Sequence, residues 1–238
     1  MENYNEIKKL AKDIRLSMLK MLLNLGFGHF GGSLSVVETL AVLYGAVMKI
    51  DPKNPNWEGR DYMVLSKGHA GPALYAALAI KGYFPKEELM TLNVNGTHLP
   101  SHPDRLLTKG VDATTGSLGQ GVSLATGIAM AEKLSGKDNR VFTILGDGEL
   151  NEGQCWEAFQ FIAHHNLNNL TVFVDYNKLQ LDGTLEEIID GDGDHLCSDE
   201  CVKNHRPDCT EDLDKYFNCE AEKQPKPKVS RPKTNNRG

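Results

Sequence analysis

Two apolar runs too short for helices, VFTIL at residues 141–145 and LTVFV at 170–174, bracket a stretch of helical periodicity at about 152–165. Parallel neighbouring strands need a long crossover between them, and a strand, helix, strand series supplies it. DYMVLS at residues 61–66 reads as a further short buried strand, followed by an Ala/Leu-rich helix over about 72–80. The series predicts an α/β fold: a parallel sheet with helices on both faces. In such sheets ligands gather at the carboxyl ends of the strands.

The amino-terminal part is helical by the same logic. Ile7, Leu10, Ala11, Ile14, Met18, Met21, Leu22 and Leu25 recur at spacings of three and four and form one apolar stripe. Ser35 and Glu38 have the spacing of a capping box ahead of a second apolar run ending near Met48. Residues 93–121 are rich in Gly, Thr, His, Ser and Pro, and a loop of that length within a domain is usually functional. A formal charge of −6 argues against nucleic acid or an anionic membrane surface as partner. No apolar run is expected to reach the roughly 18 residues of a membrane helix. MENYNEIKKL has no apolar leader core. The expected setting is cytoplasmic.

The chemistry-bearing residues follow the strands. GDG at residues 146–148 ends one strand, and Asn177 follows the next, thirty positions after Asp147. Adjacent parallel strands bring that carboxylate and that amide carbonyl to one edge. A hard divalent cation such as Mg²⁺ takes oxygen ligands and often shares them with phosphates. The pair thus reads as a clamp for a magnesium diphosphate. The same residues also make an ordinary tight turn and an ordinary loop asparagine, and that reading stays open on spacing alone.

In these residues the chain resembles the thiamine-diphosphate enzymes, and among them transketolases. GDGELNEGQCWEA and VDYNKLQLDG are similar to that family's versions, as are GHFGGSLS (28–35), SKGHA (66–70) and TTGSLGQG (114–121), in the family's order. The short chain resembles the amino-terminal subunit of split transketolases. That resemblance implies thiamine diphosphate and Mg²⁺ as cofactors, with Asp147, Asn177 and the Leu179 carbonyl as metal ligands. It implies that His69 meets the diphosphate, with Gly148 beside it. Gly116, Ser117 and Leu118 lie against the thiamine by their backbone, and Glu152 sits at a subunit contact near the cofactor. His29 and His102 face a sugar phosphate and move protons at its oxygens, work that suits a group titrating near neutrality. His98 lies in the substrate loop outside the matched blocks. His164 and His165 end a helix and read as surface residues.

The family's catalytic glutamate belongs to a pyrimidine-binding domain, so the resemblance implies a hetero-oligomer with a separate pyrimidine-binding subunit. Ketol transfer is the expected reaction. The alternatives are another thiamine-diphosphate enzyme, such as 1-deoxyxylulose-5-phosphate synthase, and a truncated non-catalytic homologue. Residues 1–188 are expected to form the diphosphate-binding domain, incomplete at its carboxyl side. Residues 189–238 are expected to lie outside the family pattern and read as a disordered tail. Its Cys197, Cys201, Cys209 and Cys219, with His195 and His205 nearby, lack the paired spacing of common zinc modules. A disulfide-bonded segment is a further alternative.

Overall fold

The computed structural model describes residues 2–180, 183, 184 and 188. The cysteine-bearing tail beyond the expected boundary near 188 lies outside the described residues. Three parallel strands form one sheet in chain order: β1 (Tyr62–Leu65), β2 (Val141–Gly146) and β3 (Leu170–Asp175). Val64 pairs with Thr143 and Ile144 with Phe173. Every residue of β2 is buried, which accounts for its unbroken apolar run.

Alternation along the strands sends side chains to two cores. Met63, Leu65, Phe142 and Ile144 pack with the stripe of α1 (Glu2–Leu25), with α3 (Val37–Val42) and with α4 (Gly71–Lys81). Val64 and Val141 pack instead with Ala125 and Ala129 of α5 (Gln120–Leu134), and Leu145 with Cys155 and Ala158 of α6 (Gly153–His164). Both faces are therefore covered, as the sequence pattern requires. β3 is less enclosed, with Thr171 and Val174 exposed.

Two expectations fail between residues 30 and 47. Ser35 and Glu38 form no capping box: α3 carries no side-chain cap. The Ser35 hydroxyl donates to Asp175 Oδ2 at 2.5 Å, and Glu38 pairs with Arg15. Both side chains find charged partners elsewhere, which a free helix start cannot match. The apolar run is also longer than expected, since 18 residues, Phe30–Val47, have a mean hydropathy of 1.5. The run is divided into α2 (Phe30–Leu34), α3 and a π-helical turn at Leu43–Val47. Val36, Val37, Leu40, Ala41, Leu43 and Tyr44 from it are buried in the first core.

The amino ends of β1 and β2 are pinned by two carboxylates, the buried Asp61 and the partly buried Asp112. Asp61 accepts the backbone N–H groups of Lys49 and Arg140 at 2.9 and 2.8 Å and pairs with the Arg140 guanidinium at 2.7 Å. Asp112 accepts the Met63 N–H at 2.8 Å and pairs with Arg60 at 2.8 Å. The carboxyl ends are left to glycine-rich turns.

Candidate active site

β2 runs into a 3₁₀ turn, Gly148–Asn151, with buried Asp147 at its start. One carboxylate oxygen of Asp147 accepts the Gly148 N–H at 2.9 Å, and the other accepts the Lys178 N–H at 2.5 Å. Its own N–H donates to the Asp175 carbonyl at 3.2 Å. The turn after β2 is thereby bound to the segment after β3. In that segment Asn177 Oδ1 accepts the Leu179 N–H at 3.0 Å, and Leu179 bridges to Thr184. Asp147 and Asn177 follow neighbouring parallel strands and stand at the same edge of the sheet. The donors there are oxygens alone, the set a hard cation prefers. Among the described residues no three His, Cys, Asp or Glu side chains converge as a metal cluster.

The loops from the other strand ends close over this edge. Gly116 has φ +148°, and a Cβ there would lie 3.0 Å from the His102 ring. A Cβ on Gly68 would stand 2.7 Å from the Gly116 nitrogen. Only glycine lets SKGHA and TTGSLG touch through their backbones in this way. His29 joins them, its ring centroid 5.2 Å from that of His69. His29, His69 and His102 thus come together, and the carbonyl of His98 accepts the Thr108 hydroxyl. His164 and His165 meet edge to face at the far end of α6. Ser117 and Leu118 are exposed, and Glu152, also exposed, stands at the start of α6 beside Gly119.

His69 is half-buried. Burial lowers its pKa to about 4, helped by the positive charge of Lys67 and by His29 and His102. At neutral pH it is an uncharged imidazole with one N–H donor and one acceptor. His102 shifts the same way, through burial and then His29.

Sequence reasoning passed over three charged side chains at this edge: Lys67, Glu149 and Asp175, the last residue of β3. Lys67 is fully buried and pairs with Asp175, which also takes the Ser35 hydroxyl. Glu149 is 2% exposed. The available signal was a charged residue set directly against an apolar strand end, where burial is hard to avoid.

Residues 7–198 match the family model described as transketolase, thiamine diphosphate binding domain. The chain belongs to the transketolase family. It corresponds to the amino-terminal section of that family. It is 55% identical over 187 residues to a protein of a Clostridium species named 6-deoxy-6-sulfo-D-fructose transketolase subunit SqwG, covering 79% of this chain and 68% of that one. It is 41% identical over 188 residues to an apulose-4-phosphate transketolase subunit from Actinobacillus succinogenes, with the same two coverages, 79% and 68%. Among solved structures it superimposes on the transketolase of Campylobacter jejuni with a TM-score of 0.74 at 32% identity, over 80% of this chain and 31% of that one. The transketolase of Leishmania mexicana gives 0.73 at 31% identity, over 84% and 30%. The transketolase-type chain thus spans about two thirds of the subunit relatives and under a third of those solved enzymes.

Proposed function

We propose that this chain is the diphosphate-binding subunit of a transketolase, moving a two-carbon ketol unit from a ketose to an aldose with thiamine diphosphate and Mg²⁺. The observation that carries the reading is the placing of Asp147 and Asn177 at one sheet edge, enclosed by the SKGHA and TTGSLG loops. In this reading the Asp147 carboxylate, the Asn177 amide oxygen and the Leu179 carbonyl hold Mg²⁺, which neutralises the diphosphate. Gly148 lets the backbone approach the phosphates. His69, neutral, donates its N–H to a diphosphate oxygen. Gly116, Ser117 and Leu118 present their backbone to the thiamine.

Bound thiamine diphosphate supplies a nucleophilic carbon and an electron sink. The chain's part is to orient the sugar and move its protons. His29 and His102, open to solvent beside the site, give a proton to a carbonyl oxygen and take one from a hydroxyl. The exposed Leu118 and Glu152 border the site and suit a contact with a separate pyrimidine-binding subunit. The word "subunit" in the names of both relatives favours that arrangement. Sugar phosphates are the proposed substrate class. The higher identity with the sulfofructose relative adds 6-deoxy-6-sulfo-D-fructose as a donor to assay beside them.

Calorimetric titration of the full chain with thiamine diphosphate tests the reading, with Mg²⁺ and with EDTA, alone and with the partner subunit. Saturable binding that requires Mg²⁺ and is lost in Asp147→Ala is the expected result. At a hundred times Kd the cofactor then stabilises the fold by about 2.7 kcal/mol. Absence of saturable binding in every condition refutes the reading.

A further inference from the structure

Glu149 sits two residues beyond Asp147 and is buried at the centre of the loop cluster. Its carboxylate has three donors from three different parts of the chain. Oε1 accepts the Ser66 hydroxyl at 2.5 Å and the Gly119 N–H at 2.8 Å, and Oε2 accepts the Gly146 N–H at 3.1 Å. Ser66 opens SKGHA at the end of β1, Gly119 closes the thiamine-facing loop ahead of α5, and Gly146 ends β2. One side chain therefore fastens together the three backbone segments that border the cofactor in the proposed function.

We infer that Glu149 is a positioning residue that fixes the spacing between the diphosphate-binding turn and the loop that meets the thiamine. The inference rests on the cofactor reading above. Both oxygens must accept for the clamp to close, which a carboxylate does and a carboxamide does not. In Glu149→Gln the side-chain NH₂ faces either Gly146 N–H or Gly119 N–H, donor against donor. The two loops then lose their common anchor while Asp147 keeps its own contacts to Gly148 and Lys178. A ligand that spans both loops loses more than one that touches the turn alone.

The test compares thiamine diphosphate with inorganic pyrophosphate, each with Mg²⁺, by calorimetry on the full chain. Wild-type protein binds thiamine diphosphate more tightly, and Glu149→Gln reduces that preference by about tenfold, as expected for losing a hydrogen bond to a charged group. General destabilisation weakens both ligands together and leaves their ratio unmoved. Trp156, whose indole N–H donates to the Leu150 carbonyl at 2.8 Å, reports by fluorescence whether the turn persists. An unchanged ratio in folded Glu149→Gln overturns the clamp. Wild-type chain that binds neither ligand, with or without the partner subunit, overturns the cofactor reading itself. If the variant does not fold, amide exchange in the wild type decides. Slow exchange at Gly119 supports the clamp, and exchange at the rate of an open amide sinks it.

Discussion

Two glycines of α5 receive the same substitution with opposite consequences. At Gly121 an added Cβ would lie 2.4 Å from the Ser66 Cα, 2.6 Å from its Oγ and 2.7 Å from its Cβ. Carbon atoms in contact settle at about 3.5–4.0 Å, so helix and strand end must part by about 1 Å. Ser66 is fully buried, and the nearest obstacle is backbone, which no rotamer change removes. Overpacking of this kind costs about 3 kcal/mol, and alanine returns about 0.5–1 kcal/mol through helix propensity. Gly121→Ala should therefore lose about 2 kcal/mol, or about 4–8 °C in Tm for a chain of this size. At Gly127 nothing stands within 4 Å of the added Cβ. There the propensity acts alone, and Gly127→Ala should gain about 0.5–1 kcal/mol. Thermal unfolding followed by circular dichroism on the full chain reads both. A Gly121→Ala protein as stable as Gly127→Ala would show that the close approach of α5 to β1 is wrong.

Two titrations follow from the same structure. His69, held down to about 4 by burial and then by Lys67, has an unfolded value near 6.5. Its contribution to stability is complete above pH 6.5 and disappears as pH falls through 4, so ring resonances that titrate near 6.5 in the native protein refute the assigned environment. Burial pushes Asp112 up to about 6, against the pull of Arg60 and the Met63 N–H. The native state keeps a proton that the unfolded chain has lost, so this contribution is full below pH 4 and is lost as pH rises through 6. The difference in urea midpoint between wild type and Asp112→Asn should change across that window and be flat above it.

The sheet was legible because β2 is buried on both faces and its apolar run is therefore unbroken, and because the α1 stripe faces one core only. Helix and strand limits came within a residue or two for the same reason. α4 is buried almost all round, so composition and not periodicity marked it. The region around α2 and α3 was misread because Ser35 and Glu38 have partners over 20 residues away, in Asp175 and Arg15. A local spacing rule does not see such partners. That Asp147 and Asn177 share a sheet edge was legible since parallel register alone brings them there. The Lys67–Asp175 pair and the Glu149 clamp were not, because each joins residues from segments far apart in the chain that meet only in the folded sheet end.

β1 ends at Leu65 and its partner β2 starts at Val141, with α4, the long loop and α5 between them. Pairing these strands means closing a large loop before any sheet contact is gained, which slows folding. During synthesis Met63 and Leu65 leave the ribosome well before Phe142 and Ile144, the residues that flank them in the finished sheet. Until then the backbone edge of β1 has no strand partner and is open to other chains, and nascent chains cut short before β2 are the ones expected to aggregate.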